Sequence, residues 1–129
     1  MYPHLESAAK LTGVAASRAF FAPCFALGAS DELLVAHVDD HARCVHLASY
    51  SCLNFELPVQ AILAEALQLE STGLVLAQAQ SGGESGTMPR LQAATQRLAT
   101  AADAIKVTVL DHLIFAGDEC TSLRRQGLL

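Results

Sequence analysis

The sequence is poor in charged residues and has no cluster of cations. Only 16% of its 129 residues are Asp, Glu, Lys or Arg, and the formal net charge is −5. Because nucleic-acid affinity depends on clustered lysines and arginines, this composition argues against a nucleic-acid partner. The hydrophobic fraction of 52% is enough for a core in one domain. The composition also predicts some apolar surface. We expect a second copy of the chain, in a homodimer, or another protein to cover that surface.

Long apolar runs and export signals are lacking as well. No window reaches the roughly 18 uncharged apolar residues of a membrane helix, and the run at 19–29 is too short, so we expect no membrane span. The first residues show no basic segment followed by an apolar stretch, so we expect no signal peptide and a cytoplasmic location. No C-x-x-C spacing relates the four cysteines, which we expect to be reduced thiols: Cys24, Cys44, Cys52 and Cys120.

Hydrophobic periodicity divides the chain into helices and strands. We predict one α/β domain over residues 1–129, with a helical N-terminal part at 1–31 and a mixed sheet between helical layers. Residues 58–70 form the clearest helix, with one apolar stripe made of Val59, Ile62, Leu63, Ala66 and Leu67. The other predicted elements are strands at 33–38, 43–50, 74–77, 107–110 and 113–115, an edge strand at 120–123 and a helix at 87–105.

The N-terminal part also carries candidates for a self-association surface. Gly13 and Pro23 divide its helical pattern into two short helices. We expect the aromatic side chains of Phe20, Phe21 and Phe25, or an edge strand, to be the exposed apolar surface. Such surfaces commonly pair two copies about a twofold axis.

The segment 72–90 is predicted to be a strand, a loop and a helix. A buried strand runs into a Gly/Ser-rich loop, and a helix with Thr87 as its predicted N-cap follows. Further sequence anchors are Pro58, Ser81-Gly82, Leu-Asp-His-Leu-Ile at 110–114, Ser-Leu-Arg at 122–124 and Gly-Leu-Leu at 127–129. On these residues the chain resembles the RadC-like JAB (MPN, JAMM) domains over about 33–129. The resemblance implies a three-layer, cytidine-deaminase-like α/β fold, with a mixed sheet flanked by helices.

The departures from the family pattern concern the metal ligands. The resemblance implies a zinc ion held by two histidines and an aspartate, with a glutamate on an upstream strand as general base. Here Ala77 and Ala79 replace the histidines, Arg90 replaces the aspartate, and the strand 43–50 has no glutamate. The retained motif positions are Ser81, Gly82, Thr87, Asp111 and His112. We therefore expect a pseudoenzyme without metal or other cofactor, a binding or scaffolding module on a metalloprotease-like, deubiquitinase-like fold.

The segment 37–46 offers an alternative, relocated zinc site. It contains His37, His41, Cys44 and His46, and the last two would share one face of a regular strand. On this interpretation the chain is an active JAMM-type zinc-dependent hydrolase, of the metalloprotease or isopeptidase kind. The other interpretation is a solvated turn followed by a half-buried strand. A third class, nucleic-acid binding, is suggested only by the DNA-repair name of the family, and the acidic balance weighs against it.

Asp111 and His112 are adjacent, and two such groups can serve as acid and base. Neighbours on a strand point to opposite faces of the sheet, however. We therefore predict that the two residues have a structural role, with His112 as a hydrogen-bonded core residue.

Overall fold

The structure, a computed structural model, describes residues 10–25, 32–51, 57–79, 87–116 and 119–129. These ranges contain three α-helices, one short 3₁₀ helix and five strands. The helices are α1 (Gly13–Phe21), continued by the 3₁₀ helix (Ala22–Phe25), α2 (Val59–Leu69) and α3 (Thr87–Ala104). The strands are β1 (Glu32–Val38), β2 (Cys44–Ser51), β3 (Gly73–Ala79), β4 (Thr108–Ala116) and β5 (Glu119–Ser122). None of the described helices is long and apolar enough to cross a membrane.

The five strands form one mixed sheet in the order β2-β1-β3-β4-β5. β1 lies antiparallel to both β2 and β3, β3 and β4 run parallel, and β5 returns antiparallel to β4. Parallel neighbours need a crossover connection, and α3 lies in the one between β3 and β4. The predicted α/β class with a mixed sheet is confirmed.

Helices cover both faces of the sheet, which gives three layers. The side that packs against α1, here called the α1 face, includes Leu34, Ala36, Val75, Ala77, Leu113 and Phe115. The side that packs against α2 and α3, here called the α2–α3 face, includes Leu33, Val35, Leu74, Leu76 and Val109. Because both faces are buried, β1 and β3 are near-continuous apolar runs, unlike strands with one solvated face.

The two strands predicted at 107–110 and 113–115 are one continuous strand, β4. The polar pair Asp111-His112 interrupts the apolar pattern, but both side chains are buried and hydrogen-bonded inside the protein. Leu74 of β3 pairs with Val109 of β4, but the next residue, Val75, pairs with Asp111. β4 therefore contains one extra residue at this point, a β-bulge. The bulge leaves Asp111 on the α1 face and His112 on the α2–α3 face.

The predicted stripe of α2 is wrong at its last member. Leu67 is 60% exposed, whereas Ile62 and Ala66 are fully buried against the sheet. The helix ends where Glu70 adopts a left-handed conformation, with φ 54°. The chain then turns at Ser71, whose N–H donates to the Ala66 carbonyl oxygen at 3.0 Å.

The expectation of an exposed aromatic surface on the N-terminal part is also wrong. Phe20 and Phe21 are 5% and 0% exposed and belong to the core of the α1 face. Phe25 is half-buried against the same core. The amphipathic α1 needs one apolar stripe to cover the sheet, and these rings supply it.

Candidate functional site

The metal-binding corner that the resemblance implies lies at the carboxyl end of β3. Ala77 pairs with Leu34 of β1 and Leu113 of β4, and it is 0% exposed. Ala79, the last residue of β3, is half-buried and pairs with Phe115. Alternation along the strand puts both alanines on the α1 face. The corner is therefore walled by apolar side chains.

An aromatic pair closes this corner on the α1 face. The ring of Phe25 lies against that of Phe115, with centroids 4.9 Å apart and an interplanar angle of 30°. Because Phe115 is the register partner of Ala79, this stack fills space beside the two alanines. Aromatic contacts of this kind stabilise the core beyond their buried area.

Two further motif positions, Thr87 and Arg90, lie in the first turn of α3. Thr87, which the sequence predicts as the N-cap, is the first residue of this helix. Arg90 is exposed in the first turn. A cation there faces the positive end of the helix dipole, and water around it reduces that cost. Ser81 and Gly82 lie outside the described residues.

The residues present at this corner do not fit a zinc ion. Zinc requires lone pairs from histidine, cysteine or carboxylate groups, and a methyl group has none. Arg90 adds a permanent positive charge at the position where the resemblance implies an aspartate. Among the described residues, no three His, Cys, Asp or Glu side chains are placed to hold a metal ion.

A glutamate does lie near this corner, on a strand other than the one from which a base was expected. Glu32 is the first residue of β1, and the next residue, Leu33, pairs with Gln78 of β3. β1 borders β3 in the sheet, whereas β2 is an edge strand. Nothing in the local sequence pattern favours β1 over β2, because strand order depends on long-range pairing.

The four residues of the alternative site in 37–46 are not brought together. β1 and β2 pair His37 with His46 and Val38 with Cys44, so Val45 is an extra residue in β2. This bulge turns Cys44 to the α1 face and leaves His46 on the α2–α3 face. The prediction that Cys44 and His46 share one face is therefore wrong.

His41 belongs to an exposed turn. The Asp39 carboxylate accepts the backbone N–H groups of His41 and Arg43 at 2.9 and 3.0 Å. These backbone hydrogen bonds lower the pKa of Asp39. This part of the segment matches the solvated-turn interpretation.

A second cluster, which the sequence did not reveal, lies between α2 and the strands β1 and β2. The Tyr50 hydroxyl donates to Oε1 of Glu65 at 2.5 Å. The same oxygen lies 3.7 Å from Nε2 of His37, and Nδ1 of His37 lies 3.4 Å from the Ser71 hydroxyl. The one sequence signal was a glutamate beside the apolar stripe of α2, which does not identify its partners.

Burial determines the protonation of this cluster. Burial lowers the pKa of His37 to about 4. The negative charge of Glu65 acts in the opposite direction, and the charge of His46 acts in the same direction as burial. Burial also raises the pKa of Tyr50, as do the hydrogen bond to Glu65 and the charge of that carboxylate. At neutral pH, His37 is therefore uncharged and Tyr50 keeps its hydroxyl hydrogen.

Asp111 is the centre of a hydrogen-bond network that ties the C-terminal residues to β4. Its Oδ1 accepts the N–H groups of His112 and Arg124 at 2.7 and 3.1 Å, and its Oδ2 accepts the Ser122 hydroxyl at 2.5 Å. The Arg124 guanidinium donates to the carbonyl oxygens of residues 109–110, at the bulge of β4. The anchors of the family resemblance at 110–114 and 122–124 thus hold β4, β5 and the residues after them together.

His112 is hydrogen-bonded on the opposite face. The Thr95 hydroxyl lies 2.7 Å from Nδ1 of His112 and donates to the Leu91 carbonyl oxygen at 2.8 Å. A hydroxyl has one hydrogen, so Nδ1 carries the proton and donates to the Thr95 oxygen. Burial lowers the pKa of His112 to about 3. Asp111 and His112 thus have different partners on different faces.

A cavity of about 340 Å³ lies between α1 and the sheet. Most of its lining is apolar, including Leu11, Val14 and Val75, and its polar residues include the buried Asp111 and the exposed Arg124. Its size falls in the range of small-ligand pockets. The Asp111 carboxylate oxygens in this lining are already engaged by the network described above.

The mixed five-stranded sheet, the α1 and α2–α3 layers and the β3–α3 corner together define an α/β domain of the JAB/MPN type. The sequence profile of the RadC-like JAB domain matches residues 15–128, so the chain belongs to this family. The match begins within α1 and therefore includes more of the N-terminal part than the resemblance noted from residue 33. No curated protein matches the chain.

Proposed function

We propose that this chain is a non-catalytic RadC-like JAB domain, a pseudoenzyme that acts as a binding or scaffolding module. The observation that carries the proposal is the burial of Ala77, 0% exposed among apolar neighbours at the position of the first histidine ligand. Zinc chemistry in this fold depends on a metal that lowers the pKa of its bound water. A packed methyl group neither binds the ion nor leaves room for it.

The other two ligand positions support the same conclusion. A catalytic zinc site needs three protein ligands and one open position. Ala79 supplies no lone pair, and Arg90 supplies a charge that repels a cation. Because all three positions differ together, one substitution does not restore the site.

Exposed apolar groups support the binding role. Val45 on β2 is 50% exposed and Leu67 on α2 is 60% exposed. These two side chains are the contact points that we propose for a protein partner. We propose a homodimer, or a complex with another protein, in the cytoplasm, and the net charge of −5 weighs against nucleic acid.

The decisive experiment restores the ligands and titrates zinc. The triple variant Ala77→His, Ala79→His, Arg90→Asp should bind about one more zinc ion per chain than the wild type. Ala77→His alone should not, since one added imidazole makes no site. Hydrolysis by the triple variant should stay weak, because the strand 43–50 has no glutamate to act as general base and Glu32, at the start of β1, is exposed.

A second variant guards against misfolding. Enlarging the buried Ala77 should cost about 1–3 kcal/mol of stability, whereas Ala79→His with Arg90→Asp alters only a half-buried and an exposed position. This double variant should gain weaker zinc binding. Two results contradict the proposal: folded variants that bind no more zinc than the wild type, or chelator-sensitive peptidase or isopeptidase activity in the wild type.

A further inference from the structure

The cavity between α1 and the sheet contains a buried hydroxyl group without a partner. Ser17 of α1 lines this cavity and is only 3% exposed. Among the described residues, none forms a hydrogen bond with its hydroxyl. Buried polar groups in proteins are nearly always hydrogen-bonded, so an unpaired one in the wall of a cavity marks a place for a polar atom of a ligand.

The first turn of α1 adds further donors at the same cavity. Thr12, Gly13 and Val14 belong to the lining, and the first N–H groups of a helix have no acceptor within the helix. Thr12 has the extended conformation of an N-cap residue, but its side chain makes no capping hydrogen bond. Ser17 lies one turn after Gly13 and Val14 on the same side of the helix. Its hydroxyl and the N–H groups of the first turn can therefore bind the same ligand group.

The rest of the cavity suits an apolar body of limited size. Leu11, Val14 and Val75 supply apolar walls, and Val75 lies within β3. The volume is about 340 Å³. At about 30 Å³ for each non-hydrogen atom, as in liquid water, this volume holds roughly ten such atoms. Apolar walls with a few polar groups are typical of small-ligand sites.

The two charged side chains of the lining offset each other. The negative Asp111 carboxylate accepts the Ser122 hydroxyl and the N–H groups of His112 and Arg124. The positive Arg124 guanidinium donates to the carbonyl oxygens of residues 109 and 110. The remaining field is that of the helix N-terminus, which is positive and attracts an anion.

We propose that this cavity binds a small monocarboxylate with an apolar chain, of about eight carbon atoms in all. The carboxylate accepts the Ser17 hydroxyl and N–H groups of the first turn of α1, and the chain packs against Leu11 and Val75. Among the described residues, the lining does not include the family corner at Ala77 and Ala79. The inference therefore does not depend on the proposed function.

The test is a calorimetric titration of the full chain with octanoate at about pH 7.5. We expect saturable binding of one octanoate per chain, with a Kd below about 1 mM. Octanol has the same chain and a neutral head, and it should bind at least ~10-fold more weakly because hydrogen bonds to a charged acceptor are stronger. Acetate lacks the chain and should show no saturable binding over the same concentrations.

Two pairs of variants locate the ligand. Ser17→Ala removes only the hydroxyl and should weaken octanoate binding about 10-fold, the share of one hydrogen bond to a charged group. Ser49→Ala removes an exposed hydroxyl from β2 and should keep wild-type affinity. Val14→Phe places a ring in the cavity and should abolish binding, whereas Ala19→Phe, at an exposed position of the same helix, should retain it.

Unfolding temperatures without ligand show that the variants fold. Ser17→Ala should unfold no earlier than the wild type, because its hydroxyl has no partner and alanine is the better helix former. If Val14→Phe does not fold, Ser17→Ala decides alone. The inference is overturned if the wild type shows no saturable octanoate binding, if octanol binds as tightly as octanoate, or if Ser17→Ala binds octanoate like Ser49→Ala. None of these results changes the zinc titration of the family corner, so the two proposals fail separately.

Discussion

The Ser122 hydroxyl donates to Oδ2 of Asp111 at 2.5 Å, and this contact joins β5 to β4 inside the protein. The Ser122 oxygen in turn accepts the backbone N–H of Arg125 at 3.1 Å. Ser122 and Asp111 are both buried, at 4% and 6% exposure. A hydroxyl that bonds a buried carboxylate contributes more than an ordinary hydrogen bond.

Removing this hydroxyl should destabilise the domain. Ser122→Ala leaves the Asp111 Oδ2 without its donor, and we expect a loss of about 1.5–3 kcal/mol in the free energy of unfolding. Urea denaturation followed by circular dichroism measures it. Thr121→Ala on the same strand is the matched control and should cost clearly less, because Thr121 is only half-buried. Equal effects of the two substitutions would show that the network does not stabilise the fold.

The bond between Thr95 and His112 offers a second test. Thr95→Val keeps the shape of the side chain but leaves the buried Nδ1–H of His112 without an acceptor. We expect a loss of about 1–3 kcal/mol, seen as a lower unfolding temperature. Thr100→Val, an exposed substitution on the same helix, should change stability by less than about 0.5 kcal/mol. A neutral Thr95→Val would mean that His112 finds another partner.

Stability should fall in mild acid because two histidines are buried in their neutral form. The pKa values of His37 and His112 in the folded chain are about 4 and about 3, against a usual value of 6.5. Below about pH 6.5 the unfolded chain binds protons that the folded chain does not, so the free energy of unfolding decreases as the pH falls toward 4. Each histidine contributes at most about 1.4 kcal/mol per pH unit.

Urea denaturation in EDTA at about pH 7, 6 and 5 measures this dependence. His112→Gln should reduce the slope by about the share of one histidine. His41→Gln should leave it unchanged, because His41 is exposed in the turn. An unfolding free energy that stays constant from pH 7 to pH 5 would contradict the prediction.

Self-association should depend on exposed apolar side chains outside α1. We expect light scattering to report a dimer at about 100 μM, the usual symmetry for such contacts. Leu67→Glu and Val45→Glu should shift it toward monomer without lowering the unfolding temperature, since both positions are exposed. Thr100→Glu, also exposed, is the control. A wild type that stays monomeric over the micromolar range would point to a different protein as the partner.

Local sequence patterns predicted much of the fold. The stripe of α2 except Leu67, the apolar runs of β1 and β3 and the start of α3 beside Thr87 follow from periodicity, burial and turn chemistry. The family was also readable from the residues around Asp111 and Ser122, and the profile match over 15–128 confirms it. These features depend on neighbours in the chain, so no tertiary information was needed.

The sequence by itself also predicts that the family corner lacks its metal ligands, because Ala77, Ala79 and Arg90 can be read without a structure. Only the tertiary structure decided where the other polar groups meet. β2 and β4 each contain a bulge, and beyond a bulge every side chain points to the opposite face of the sheet from the one that simple alternation predicts. Hydrophobic periodicity does not reveal where a strand contains such an extra residue. The contact of His37 with Glu65 likewise depends on how α2 packs across β1, a long-range choice made by burial of the whole apolar face.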